Sequence, residues 1–240
     1  MLILSFDTTS PGGGAGLYRD SETLGEARAG GEANYSITLF EMVDRLLADA
    51  GLHLAEVELF AAARGPGSFT GIRVGLAAAQ AWAKAFDRPA QAVSVLEAMV
   101  EAARPEGSPA VPLLDARRGE FYLGVFRRLP PRQSGGSPGS LRLSGEGLVL
   151  GAAQIVALTE EWIRDGEPEA ELIVRKEDQA ALEFARQLPG RLQRTTVPGF
   201  LPGAIARAAR RAACEGPLQK AEDLDAWYIR RSDAELHWQE

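Results

Sequence analysis

Two apolar stretches, each running into an aspartate, constrain the architecture of this chain more than any other feature. Leu2-Ile3-Leu4-Ser5-Phe6 leads to Asp7, and Ala110-Val111-Pro112-Leu113-Leu114 leads to Asp115. Similar patterns follow both. In the first copy, strands are expected over residues 2–6, 15–19 and 23–29, with turns at Gly12-Gly13-Gly14 and Asp20-Ser21. A helix over 36–50 places Leu39, Phe40, Val43, Leu46 and Leu47 at helical spacing, and Gly51 stops it. A strand over 57–64, a helix over 68–86, a strand over 91–93 and a helix over 94–103 complete this half. The second copy has strands over 110–114, 120–127 and 141–150, then a helix over 152–164. A strand over 171–174, a helix over 178–188, a strand over 192–197 and a helix over 202–214 follow. Alternating strands and helices imply mixed sheets covered by helices. A chance match is the competing reading, and duplication of an α/β unit with a cleft between the halves is favoured over it. The boundaries fall at 1–105 and 106–215, with a tail, 216–240, that packs on the first half. Residues 128–140, rich in Pro, Gly and Ser, read as a mobile loop.

Bulk properties narrow the function classes. The chain has 240 residues, 45% hydrophobic and 25% charged, ordinary values for a globular protein. No apolar run approaches the roughly 20 residues that span a bilayer. The N-terminus reads as a buried strand rather than a signal peptide, and the expected compartment is the cytoplasm. A net charge of −7 argues against a chain that grips nucleic acid alone. Cys214 is the single cysteine, and His53 and His237 are the only histidines, so neither a cysteine-clustered zinc site nor an HExxH motif can form. No metal or cofactor is expected, with weak or interface-bound nucleotide left open.

Gly65-Pro66-Gly67-Ser68-Phe69-Thr70-Gly71 lies between a strand and a long helix. A P-loop would need GxxxxGK[ST], but Ile72 follows Gly71, and the glycines are one residue too far apart for GxGxxG. Anion capture at the helix start, with Ser68 as N-cap, is the lesser reading. Gly71, Gly75, Ala79 and Ala83 recur every fourth residue. Glycine inside a helix costs about 1 kcal/mol, which implies close approach by another backbone. Spacing alone favours packing inside the subunit, and a partner-binding helix pair is the sharper alternative. Asp7, Thr8, Thr9 and Asp115 suggest a nucleotide site across the cleft, against a plainer role in capping turns. The segment from Glu222 to Arg231 reads as a docked tail.

Three segments together resemble the TsaB (YeaZ) family: Gly65–Leu76, Leu4-Ser5-Phe6-Asp7-Thr8-Thr9, and Leu114–Tyr122, with Trp227-Tyr228-Ile229-Arg230 similar as well. The likeness covers about the first 125 residues well and residues 128–215 weakly. It implies an α/β fold of two RNase H-like halves, the actin/Hsp70/sugar-kinase type. It further implies a non-catalytic scaffold in tRNA N6-threonylcarbamoyladenosine synthesis, partnered by a catalytic TsaD-type paralogue and a TsaE-type ATPase. Contact with tRNA would come through the complex only. On this resemblance the partner face comprises Ser36, Leu39, Phe40, Val43, Gly71, Arg73, Gly75, Leu76, Ala79 and Gln80, and the same face would serve a homodimer of the isolated chain. Asp7, Thr8, Thr9 and Asp115 would be a vestigial nucleotide site. Many relatives open the first long helix with His-Ser, where this chain has Asn34-Tyr35-Ser36, and the Gly12-Gly13-Gly14 turn is plain beside the nucleotide loops of active relatives. The rival function is an ATP-dependent phosphotransferase or ATPase acting through Asp7 and Asp115.

Overall fold

Side-chain alternation along the first strand, β1 (Leu2–Asp7), supplies two cores at once. Leu2, Leu4 and Phe6 enter one buried cluster, and Ile3 enters another, as the two-residue period of a strand requires. The strand is buried along its length, so no polar alternation could survive in its sequence. The structure, a computed structural model, describes residues 1–31, 34–105, 109–128, 141–143, 147–164, 170–188 and 192–229.

The first sheet has the order β3 (Glu22–Arg28), β2 (Gly14–Arg19), β1, β4 (Leu59–Ala63), β5 (Ala90–Val93). β2 runs antiparallel to β1 with Asp7 opposite Gly14, and β4 runs parallel to β1 with Phe6 opposite Ala62. The second sheet repeats this order as β10 (Leu148–Gly151), β7 (Glu120–Leu123), β6 (Ala110–Asp115), β11 (Glu171–Arg175), β12 (Gln193–Val197). The third, second, first, fourth and fifth strands thus lie side by side in both halves. A small hairpin of β8 (Phe126–Arg128) and β9 (Leu141–Leu143) is added at β6. The strands expected over 120–127 and 141–150 are therefore each split in two. The expected loop 128–140 lies outside the described residues except for Arg128.

Helices α1 (Tyr35–Ala50) and α2 (Phe69–Phe86) cover the outer face of the first sheet, burying Leu39, Val43, Ile72, Leu76 and Ala79 against Leu4, Phe6 and Phe60. Fully burying a side chain such as Phe6 contributes about 2–3 kcal/mol. Helices α4 (Ala152–Arg164) and α5 (Gln179–Gln187) cover the outer face of the second sheet, where Phe121 stacks on Phe184 at 4.5 Å. Between the sheets lie α3 (Val95–Ala103) and α6 (Pro202–Glu215).

The inner helices pack across the expected domain boundary. α3, from the first half, packs on β6, β11 and β12, whereas α6, from the second half, packs on β1, β2, β4 and β5. Each half lends its last helix to the other. Ser5 donates its hydroxyl to the Pro202 carbonyl at 2.7 Å, fixing the start of α6 on the first sheet. The two helices are joined by Arg211 to Glu97 at 2.9 Å, Arg207 to Glu101 at 3.3 Å, and Arg211 to Glu101. The tail continues across the first half: Leu224 is buried in its outer core, and Trp227 donates its backbone N–H to the Arg64 carbonyl at 2.8 Å.

Candidate functional site: an interdomain cleft beside an exposed aromatic face

The carboxyl ends of the central strands of both sheets open into a cleft of about 1090 Å³. Such crevices beyond strand ends are where open α/β sheets hold ligands. Asp7 and Asp115 terminate β1 and β6, the equivalent strands of the two halves. Their surroundings differ. Asp7 is completely buried. Its Oδ1 accepts the Thr9 amide at 2.8 Å and the Thr9 hydroxyl at 2.6 Å. Its Oδ2 faces Arg175 Nη2 at 3.5 Å, across the interface between the halves. Arg175 is itself buried, at the end of β11, and its Nε has no partner.

Asp115 is half-buried and lines the cleft. Its Oδ1 accepts the Arg117 amide at 2.7 Å, and its own amide donates to Asp178 Oδ2 at 2.8 Å. Asp178 also caps α5 through the Ala181 amide at 3.0 Å. The turn beyond Asp115 holds Arg117 and Arg118 at φ of 65° and 58°, a region that side-chain-bearing residues rarely adopt. Among the described residues no group of three or more His, Cys, Asp or Glu could hold a metal ion.

The hydroxyls expected to contact phosphate are committed elsewhere. Thr8 Oγ1 donates to the Gly71 carbonyl at 2.7 Å, and the Thr9 hydroxyl serves Asp7. The glycine loop is similarly occupied: the Ser68 amide donates to the Thr9 carbonyl at 2.8 Å, and the Gly71 amide to Ser68 Oγ at 3.2 Å. These bonds remove two of the donors that anion capture at the start of α2 would use. Tyr35 donates its hydroxyl to the Ser10 carbonyl at 2.7 Å. Burial, aided by the charge of Asp7, pushes its phenol up to about 12.

The small-residue seam faces inward. A Cβ at Gly71 would lie 1.9 Å from the Thr8 carbonyl oxygen, and one at Gly75 would lie 2.4 Å from Thr8 Oγ1. The two glycines let α2 lie on the turn after β1. Ala79 and Ala83 continue the contact into the outer core. Leu39, Val43 and Leu76 are buried in that core as well. Six of the ten residues expected at a partner face are thus used within the subunit: Leu39, Val43, Gly71, Gly75, Leu76 and Ala79. Ser36 is exposed and bonds the capping Asn34 side chain. Gln80 is half-buried and donates to the Leu224 carbonyl at 2.9 Å, anchoring the tail.

Phe40 and Arg73 remain at the surface with residues that periodicity did not single out. Large apolar side chains with high exposure are Ile37 at 57%, Phe40 at 45%, Phe69 at 40% and Tyr228 at 41%, together with Leu148 in the other half. Phe40 rests edge-on against Trp82 at 5.5 Å, which in turn meets Phe6 at 5.6 Å. The Arg73 guanidinium lies 3.8 Å over the Phe69 ring and donates from Nε to the Tyr228 hydroxyl at 3.1 Å. Phe69 and Tyr228 are 5.0 Å apart, so helix and tail share one aromatic cluster. Ile37 was detectable as an apolar residue off the Leu39–Val43–Leu46 stripe. Nothing in the sequence pairs Arg175 with Asp7.

Residues 30–133 match the family model described as TsaD, tRNA N6-adenosine threonylcarbamoyltransferase. The chain is 33% identical over 127 residues to the tRNA threonylcarbamoyladenosine biosynthesis protein TsaB of Bacillus subtilis, covering 53% of this chain and 56% of that one. It is 37% identical over 124 residues to the tRNA N6-adenosine threonylcarbamoyltransferase of Thermus thermophilus, covering 45% and 38%. These matches span about half, or less, of the length of the curated relatives. The solved structure of YeaZ from Pseudomonas aeruginosa superposes with a TM-score of 0.69 at 25% identity, covering 95% of this chain and 99% of that one. With sequence likeness over about half of its length and a shared fold over nearly the whole of it, the chain is similar to the TsaB (YeaZ) proteins.

Proposed function

We propose that this chain is a non-catalytic scaffold subunit in tRNA N6-threonylcarbamoyladenosine synthesis, binding and supporting a catalytic TsaD-type paralogue. The observation that carries the proposal is a set of exposed apolar side chains on the outer helices and tail, Ile37 and Phe40 on α1 beside Trp82, and Phe69 with Tyr228 where α2 begins. Isolated exposed hydrophobics are unremarkable, but aromatic groups backed by a packed Trp and a stacked Arg form the kind of anchor that interfaces use. Glu41, Asp44 and Arg45 on α1 are exposed and supply a polar rim. The face differs from the one first expected, because the seam itself is internal; the partner would meet the outer edge of α1 and α2. A TsaE-type ATPase, tRNA contact through the complex, and homodimerisation of the isolated chain belong to the same reading.

Against the phosphotransferase alternative stands the Asp7–Arg175 pair. A divalent cation at Asp7 would have to displace a guanidinium that is almost fully buried. Asp115 spends its Oδ1 on a backbone amide. The buried Asp7 is thus not presented for metal-bridged phosphate chemistry, which leaves Asp115 as the single carboxylate of the pair on the cleft wall.

Reconstitution with the paralogue and the ATPase, with and without this chain, tests the proposal by mass spectrometry of modified adenosine. The expected result is modification that depends on this chain and persists in Asp7→Asn. Modification at full rate without the chain would overturn the scaffold reading, and loss of it in a folded Asp7→Asn variant would revive the catalytic one.

A further inference from the structure

We infer that residues 218–229 form a strap that holds the two halves closed over the cleft and passes that state to the proposed partner face through Tyr228. The strap itself rests on contacts within the chain, and its link to a partner rests on the scaffold reading above. A terminal segment stays ordered where it is tied down, and this one is tied to the first half at three successive points. Gln219 pairs with the edge of β5, accepting the Ala92 amide through Oε1 at 2.9 Å and the Ala90 amide through its carbonyl at 3.3 Å. Leu224 is buried in the outer core, and its carbonyl accepts Gln80 at 2.9 Å. Trp227 donates its amide to the Arg64 carbonyl at 2.8 Å, with the Arg64 guanidinium 5.4 Å from its ring.

Three consecutive residues then face two ways. Trp227 and Ile229 are half-buried and pack against the inner core between the sheets. They also reach the second half. A Cβ on Gly147, just before β10, would lie 2.5 Å from Trp227 Cζ2 and 2.8 Å from Ile229 Cδ1, so a larger residue there would have to move the tail. Tyr228, between them, turns outward to the aromatic group at the start of α2. It lies 5.0 Å from Phe69 and accepts from Arg73 Nε at 3.1 Å. One short stretch thus presses on the second half with two side chains and joins the exposed aromatic face with the third.

The consequence is mechanical. The halves join through the inner layer of α3 and α6, and two bodies joined around a cleft open and close by hinge or shear motion. Trp227, Tyr228 and Ile229 all line the cleft, so a tail anchored on the first half and seated on Gly147 opposes its opening. This adds to the Asp7–Arg175 tie. A partner that packs on Phe69 and Tyr228 holds the tail in its docked position. Closure and partner binding then favour each other, and linkage makes the two effects equal in size.

Distances between spin labels on Glu22→Cys and Glu183→Cys, in the full chain with its native thiol removed by Cys214→Ser, report how the halves are set; both labelled positions are exposed. One narrow distribution is expected for this parent. Trp227→Ser/Ile229→Ser should broaden it or add a second population. The same substitution should weaken affinity for the catalytic paralogue about fivefold or more, although neither side chain belongs to the exposed aromatic face. Gly147→Ala, which displaces the strap from the second half and leaves its sequence intact, should act in the same direction. Circular dichroism reports the fold of each variant, and Gly147→Ala carries the test if the double variant unfolds. Saturating paralogue should narrow the broadened distributions. A distribution indifferent to both substitutions overturns the strap, and a broadened one with parental affinity overturns its link to the partner face. A parent that does not bind the paralogue sinks the scaffold reading instead, and the label distances still decide the strap.

Discussion

Replacing Arg175 with methionine leaves the Asp7 carboxylate buried with no cation beside it. Asp7 is 0% and Arg175 6% exposed at the side chain, so solvent cannot compensate. Removing one partner of a buried pair costs about 3–5 kcal/mol. Two features place Arg175→Met at the low end, about 3 kcal/mol. The pair is separated by 3.5 Å, and Thr9 continues to satisfy Asp7 Oδ1 with bonds of 2.8 and 2.6 Å. Asp7→Asn/Arg175→Met removes the stranded charge as well and should recover to within about 1 kcal/mol of the parent, because a neutral substitute for a buried pair is often nearly neutral in stability. Urea unfolding at pH 7, followed by tryptophan fluorescence and far-ultraviolet circular dichroism, measures both. With a slope near 3 kcal/mol per molar, the single variant's midpoint falls by about 1 M. If Arg175→Met unfolds within about 0.5 kcal/mol of the parent, or the double variant is less stable than the single one, the Asp7–Arg175 bridge is not the joint described here.

Three further outcomes follow from the geometry. Gly75→Leu should cost more than about 3 kcal/mol or abolish soluble expression, since even its Cβ would meet Thr8 Oγ1 at 2.4 Å; a variant with parental melting temperature would show that α2 does not rest on that turn. Ile37→Glu/Phe40→Glu should change stability by less than about 1 kcal/mol while weakening affinity for the paralogue at least about tenfold by titration; unchanged affinity would remove α1 from the interface. Tyr35→Phe should cost about 1 kcal/mol through the lost bond to Ser10. It should also flatten the alkaline stability profile. The Tyr35 phenol is raised from its ordinary value near 10 to about 12, so its contribution is complete below pH 10 and fades as pH rises toward 12. Burial and Glu26 raise Tyr18 as well, so the slope lessens rather than vanishes, and an unaltered profile would contradict the Tyr35 assignment.

Much of the architecture was legible because it is written in local periodicity. β1 and β6 are largely apolar runs ending in aspartate, and the two sheets do share one strand order apart from the added hairpin. The inward packing of Gly71, Gly75 and Ala79 was the plainer of the two readings of their spacing, and the burial agrees with it. What escaped were relations between distant residues. The exchange of α3 and α6 leaves no local mark, because an apolar helix face does not specify which sheet it covers. Arg175 looks like the polar end of a strand, and only the apposition of two strand ends brings it to Asp7. Phe40 and Leu39 are both apolar neighbours on one helix, yet one is 45% and the other 0% exposed, a difference set by the edge of α2 and not by their own chemistry.

The exchange of inner helices also constrains how the protein can be made. The first sheet consists of residues before 94, but the helix that covers its inner face runs from Pro202 to Glu215. During synthesis Ile3, Leu59 and Ala61 therefore lack that cover until more than a hundred further residues have left the ribosome. Domains usually complete themselves in order of emergence, and this chain cannot, because its first half is finished last. Chaperone dependence of the nascent chain, and insolubility of a fragment ending near residue 105, are the natural consequences of that interlock.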